Sequence, residues 1–249
     1  MKTIYLNGGK ASNTAIQVMT WHLGCLGHMI VRTPDDPYEV GLSWGRSYHW
    51  QKPFLNKGVN QFDKYNAFKA FREAHVECPY IYGIEEYRGA FKLPVLARKK
   101  HHSKGKDIVV CKTIADVGRV QDQGTHAFFS VYIPIDTEYR VWVFQDKAFA
   151  TYEKVYTGVG EYKGFMRNRR FGFEFSKRDN LVGTATIEGP CIKAVKALGM
   201  DWGAVDILKG KDGKYYVLEV NSMPHISNTK RSCGVRLAKQ VSMWAERQV

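Results

Sequence analysis

The feature that most constrains this chain is a pair of apolar segments interrupted by hard oxygen donors. Gly199-Met-Asp-Trp-Gly-Ala-Val-Asp206-Ile-Leu and Tyr215-Tyr-Val-Leu-Glu219-Val-Asn221-Ser-Met-Pro224 flank the turn Lys211-Asp-Gly-Lys214. Asp-Gly supplies the positive-φ positions of a tight turn, so the two segments read as adjacent strands of one hairpin. Glu219 and Asn221 are two residues apart and share a strand face, which Asp206 joins from across the hairpin. Three oxygen donors on one face form a Mg²⁺ site with positions left open for phosphate oxygens and water. The alternative is a solvated face with ordinary cross-strand charges. Two carboxylates set this close repel each other unless a cation lies between them, which favours the metal. An Asp206→Ala substitution is then expected to remove a metal ligand while leaving the fold intact.

The 249 residues suit one compact unit or a few small lobes. No apolar run approaches the roughly 20 residues of a membrane helix, and residues 1–9 do not resemble a signal peptide. Cys25, Cys78, Cys111, Cys191 and Cys233 are scattered and form no Cys-x-x-Cys pair, so a disulfide framework or zinc site is not expected. A reducing cytoplasm is the expected location. The net charge of +13 predicts an anionic partner, which nucleotide phosphates satisfy only in part. Basic residues cluster at 98–106 and 163–170; nucleic acid is one partner they would suit, and plain solubility is the other explanation.

Periodicity predicts a small N-terminal α/β lobe: a strand over 2–6, a helix over 14–26, a short strand over 28–32, and loop and strand pieces punctuated by Gly and Pro over 34–52. A helix opens near Asp63 and ends before Pro79. Strands are expected over 95–98, 108–111, 127–132, 139–144 and 148–155, with a short helix over 114–120. Further helices are expected over 190–198 and 235–246. Trp142, Phe144, Phe149 and Tyr152 read as core.

Two segments suggest nucleotide chemistry. Pro94-Val-Leu-Ala-Arg98 ends in a cation, and the basic loop that follows can cover phosphates, as many bland hairpin tips also could. In Ser130-Val-Tyr-Ile-Pro-Ile-Asp-Thr-Glu138-Tyr-Arg140, backbone groups of Val131, Tyr132 and Ile133 can read an adenine edge. Glu138 can accept from a ribose hydroxyl, and Arg140, on the same strand face, can meet phosphate. A Glu138–Arg140 surface salt bridge is the simpler alternative.

The order of these pieces resembles the ATP-grasp superfamily, and within it the RimK-like carboxylate–amine ligases. The resemblance covers about residues 60–230, from Phe62-Asp-Lys64 through Pro94–Arg98 and Glu138-Tyr-Arg140 to Gly203-Ala-Val-Asp206 and Glu219-Val-Asn221. Small phage-type members of the superfamily are similar too. The resemblance implies an α/β (α+β) ATP-grasp fold, with the nucleotide held between two α+β lobes. Its parts would be an N-terminal α/β lobe over 1–58, a first lobe with a phosphate-covering hairpin over 59–133, and a second lobe with the metal site over 134–249. It implies ATP and Mg²⁺, with Mn²⁺ as a substitute, and a carboxylate and an amine joined through an acyl-phosphate with release of ADP. Lys64, Arg98, Ser103, Lys104, Gly105 and Lys154 would hold the nucleotide together with Val131–Ile133 and Glu138. Asp206, Glu219 and Asn221 would hold metal, and Arg140, Arg167 and Asn168 would serve catalysis. Arg98 stands where a lysine is usual; it keeps the charge but is bulkier. A nucleic-acid-binding module or an ATP-dependent kinase on the same fold are the rival expectations.

Overall fold

Alternating apolar strands and amphipathic helices assemble into three sheets. The computed structural model describes residues 1–8, 13–45, 52–57, 63–86, 92–101, 107–159, 164–178, 181, 184–226 and 233–248. The first sheet is parallel and is built from β1 (Thr3–Gly8), β2 (Met29–Val31), β3 (Val40–Trp44) and β4 (Phe54–Leu55), in the order β2-β1-β3-β4. Helix α1 (Asn13–Cys25) connects β1 to β2, as a parallel pair requires. Ile4, Leu6, Val40 and Leu42 bury one face of this sheet against Ile16, Met19 and Leu23 of α1.

Helix α2 (Lys64–Glu73) starts where Asp63 caps it, its carboxylate accepting from the Asn66 N–H at 2.8 Å. The second sheet is antiparallel: β5 (Ile81–Gly83), β6 (Val95–Arg98), β7 (Val109–Cys111) and β8 (Phe128–Val131), in the order β5-β8-β6-β7. Helix α3 (Ile114–Gln123) opens with a capping box between Thr113 and Asp116 and closes on Gly124 in the left-handed region. It lays Val117 and Val120 on Val95, Ala97 and Phe129.

The third sheet carries the oxygen-donor hairpin. It comprises β9 (Ile135–Phe144), β10 (Lys147–Tyr156), β11 (Phe173–Lys177), β12 (Trp202–Gly210) and β13 (Tyr215–Asn221), in the order β11-β10-β9-β12-β13 and antiparallel throughout. Alternation sorts its residues. Tyr139, Val141, Val143, Val205, Ile207 and Val217 face α4 (Ala185–Ala197) and the phenylalanines of α2. The opposite face changes character along its length. Trp142, Phe144, Trp202 and Ala204 pack under the first sheet, α1 and α5 (Cys233–Glu246), with Trp44 and Trp202 ring centroids 4.5 Å apart. Beyond them the same face presents Glu138, Arg140, Lys154 and Asp206.

The expected elements are present, with α1, α2, β6 and α5 within one or two residues of their predicted bounds. Four features differ. Helix α4 begins at Ala185 and not at Pro190; the proline lies inside it, where its missing N–H costs a single intrahelical bond. Strands β4, β5 and β11 were not predicted, because each is short and lies at a sheet edge, where few apolar residues are needed. Among the described residues no helix is long and apolar enough to cross a membrane.

The first and third sheets are tied by Asn56, fully buried and held at φ 55°. Its side-chain oxygen accepts from the Asp201 and Trp202 N–H groups at 2.7 and 3.0 Å, and its amide donates to the Trp202 carbonyl at 3.0 Å. Asn56→Ala strands these backbone groups and is expected to cost about 2–4 kcal/mol in urea denaturation. Asn56→Gly, which relieves the left-handed backbone, should cost about 1 kcal/mol less than the alanine variant.

Candidate active site

The register of the third sheet brings the charged residues together. Asp206 stands opposite Arg140 on one side and opposite Glu219 on the other, while Asn221 pairs with Ala204. A bulge follows the Asp206–Glu219 pair: Ile207 pairs with Val217, so the extra residue, Leu218, lies on β13 and bends that strand at this point. On β9, Glu138 stands opposite Leu208, and β10 adds Lys154.

These side chains form one connected network. Arg140 grips Asp206 in a fork, Nε to Oδ1 at 2.7 Å and Nη2 to Oδ2 at 2.8 Å. Lys154 Nζ donates to the same Oδ2 at 3.1 Å and also to Glu138 Oε1. Lys64, the first residue of α2, reaches Glu219 Oε2, and Asn221 Nδ2 donates to Glu219 Oε1 at 2.9 Å. The simple Glu138–Arg140 pair is not formed. Each residue instead bonds to a partner on a neighbouring strand.

Burial and charge act in opposition here. Burial alone would raise the Asp206 carboxyl, but Arg140 and Lys154 hold it well below the usual carboxylate range. For Glu219 burial is the strongest single influence and raises it, as does the Asp206 charge, but the charge and hydrogen bond of Lys64 together with the Asn221 hydrogen bond leave it lowered on balance. Glu138 goes the other way: burial, helped by Asp206, raises it against the pull of Lys154. Arg140 and Lys154 lose solvation, yet the facing carboxylates raise both.

The remaining expected residues fall around this centre. Arg98, at the end of β6, donates Nε to Ser130 Oγ at 2.8 Å. Burial pushes its guanidinium down to about 10, opposed by the charge of Glu219, so it stays a cation at neutral pH. Arg167 lies over the Phe173 ring, its charge felt by Glu138, and its Nε is buried without a partner among the described residues. Asn168 follows Arg167 at the start of a short turn. Its Oδ1 caps the short turn Arg169–Phe171, accepting from the Arg170 N–H at 3.0 Å. Ser103, Lys104 and Gly105 lie outside the described residues. The Val131 and Tyr132 N–H groups donate to the Tyr80 and Pro94 carbonyls at 2.9 and 3.3 Å.

One contributor was missed. Phe175 of β11, 48% exposed, lies with its ring centroid 4.8 Å from the Arg140 guanidinium and 5.8 Å from Lys154 Nζ. The alternation Phe173-Glu-Phe175-Ser in a short strand was the available signal.

Two carboxylates and an amide oxygen on one face are hard donors that suit Mg²⁺, and both acids are kept deprotonated. Among the described residues no group of three or more His, Cys, Asp or Glu is placed to hold a metal ion.

The profile of the RimK-like ATP-grasp domain matches residues 74–245. This chain belongs to the RimK-like ATP-grasp family. A probable alpha-L-glutamate ligase of Histophilus somni (strain 2336) is 24% identical over 161 residues, 62% of this chain and 51% of its own length. One from Klebsiella pneumoniae (strain 342) is 40% identical over 57 residues, 23% of this chain and 19% of its own. The RimK-like chain thus spans about half the length of the first of these relatives. Among solved structures, the ATP-grasp ligase PsnB complexed with minimal precursor, Mg and ADP superposes with a TM-score of 0.70 at 14% identity, covering 98% of both chains. D-alanine–D-alanine ligase from Bacillus anthracis gives 0.64 at 16% identity, covering 98% of this chain and 95% of its own. At such identities the likeness is one of fold.

The network revises the expectation that Asp206 can be removed without structural effect. Asp206→Asn leaves the buried Arg140 without its carboxylate partner and Lys154 with Glu138 alone, and is expected to cost about 3–5 kcal/mol. Because the folded Asp206 carboxyl is depressed, its contribution is fully present above the ordinary carboxylate value and is lost as pH falls through the lowered one. Urea denaturation from pH 7 down to pH 3 should show a steeper acid-side loss in the wild type than in Asp206→Asn. Parallel curves would remove Asp206 from the account of acid sensitivity.

Proposed function

We propose that this chain is an ATP-dependent carboxylate–amine ligase. It would transfer the γ-phosphoryl group to a substrate carboxylate, release ADP, and let an amine displace phosphate from the acyl-phosphate to form an amide. The observation that carries this reading is the convergence of Asp206, Glu219 and Asn221 with Lys64, Arg98, Arg140 and Lys154 on one sheet face. Oxygen donors for a metal and cations for phosphates are what phosphoryl transfer asks of a protein, since the chemistry needs positioning and charge neutralisation more than a side-chain nucleophile.

In this reading the Val131 carbonyl and the Ile133 N–H read the adenine edge, and Glu138 accepts from the ribose. Lys64, Lys154 and Arg98 neutralise phosphate oxygens. Asp206, Glu219 and Asn221 would hold Mg²⁺, which when bound supplies further charge neutralisation at the β- and γ-phosphates. Arg140 and Arg167 stand where negative charge develops on the transferred group and on the tetrahedral species that follows. The rigid fork between Arg140 and Asp206 keeps that guanidinium oriented before substrate arrives.

Relatives named as glutamate ligases, and a solved neighbour captured with a precursor peptide, make amino acids and peptides the first acids and amines to try. The charge of +13 supports an anionic acceptor. The free cysteines suit a cytoplasmic setting.

The test is ADP release by the full chain with ATP, Mg²⁺ and pooled amino acids and peptides. ADP and phosphate requiring both a carboxylate and an amine are expected. Glu138→Gln should raise KM for ATP, and Asp206→Asn should lower kcat by about 100-fold or more while the protein remains folded at the assay temperature. ADP formed with an alcohol acceptor and no amine would make the chain a kinase instead. Intact Asp206→Asn turnover would overturn the metal assignment.

A further inference from the structure

All four carboxyl oxygens of Asp206 and Glu219 are bonded by the chain's own donors. Arg140 and Lys154 take both oxygens of Asp206, while Lys64 and Asn221 take those of Glu219. The partners are not equivalent. Arg140 and Lys154 rise from the same sheet as Asp206, and Phe175 stacks against both. Lys64 comes from a different element, the N-terminus of α2, and meets Glu219 at the end of a flexible stem. It is the cation that can leave without disturbing the sheet.

The charge count points the same way. Among the described residues, Lys64, Arg98, Arg140, Lys154 and Arg167 act on the carboxyls of Glu138, Asp206 and Glu219, so five cations face three acids. A divalent ion arriving alone would add to a surplus of positive charge. A metal arriving with a nucleotide brings net negative charge, and its phosphates offer Lys64 a new partner as Glu219 is vacated.

We propose that Lys64 is a resident counter-cation at the metal position: its ammonium holds Glu219 in the nucleotide-free protein and must move to the incoming phosphates before a divalent ion seats, so metal enters with nucleotide and not ahead of it. This rests on the metal assignment made under the proposed function, and the experiment below separates the two.

The full chain is titrated with Mn²⁺ alone and then with Mn²⁺ in the presence of ADP, with free Mn²⁺ followed by electron paramagnetic resonance. Wild type should bind Mn²⁺ weakly alone and more tightly with ADP. Lys64→Met and Lys64→Gln should each bind Mn²⁺ alone at least about tenfold more tightly than wild type, since the competing charge is gone and Glu219 is left uncompensated. The gain on adding ADP should shrink in both. Lys64→Arg, which keeps the charge, should behave as wild type. Unchanged or weaker Mn²⁺ binding in the Met and Gln variants, with binding lost in Glu219→Gln, would overturn the role of Lys64 alone. Wild-type Mn²⁺ binding with ADP in Glu219→Gln would overturn the metal assignment and this proposal with it.

Discussion

The fork between Arg140 and Asp206 is the constraint on which the rest of the site depends. It joins the two central strands of the third sheet at the point where one face turns from apolar to charged. Two steps along the same strands, Trp142 and Ala204 sit beneath the first sheet and α1. A buried ion pair carries a desolvation cost that only good geometry and further hydrogen bonds offset. Here the geometry is bidentate, Lys154 adds a third bond, and the core beside it fixes both strands. Rigidity at the charged end is therefore inherited from packing at the apolar end.

The site draws on all the surrounding elements, each chosen by what it can deliver. Strands β9, β10, β12 and β13 supply groups whose positions are set by register. Helix α2 supplies a long, mobile cation from a capped N-terminus. Strand β6 supplies Arg98, buried enough for its guanidinium to be lowered but not discharged. A division of roles follows: the third sheet orients its own charged groups, and α2 and β6 bring cations to it from outside.

Local chemistry made much of this legible. Asp-Gly marked the turn between β12 and β13, and the carboxylates that interrupt their apolar runs marked the functional face. Asp63 marked the start of α2. The pairing of Arg140 was not legible, because Glu138-Tyr-Arg140 is locally self-consistent as a salt bridge and only tertiary register sets Asp206 opposite the arginine. Asn168 reads from the sequence as a neighbour of Arg167, and its additional tie to the Arg170 N–H comes from the tight turn it precedes. Phe175 was missed for a related reason. A half-exposed phenylalanine on an edge strand has no local signature, and its meaning comes from the cations on the strands beside it.

The packing of α5 on α1 has a consequence for how this chain comes to be folded. Leu237, Val241 and Trp244 share one core with Ile16 and Met19, and Ser242 Oγ lies 2.7 Å from Nε2 of the buried His28. These contacts span more than two hundred positions of sequence. During synthesis the first α/β segment emerges early, yet one wall of its core is made roughly 200 residues later. Until then α1 has the strands of its own sheet to pack on but lacks the α5 wall. Closure of that core is a late, long-range event, of the kind that slows folding because loop closure precedes the contacts that reward it.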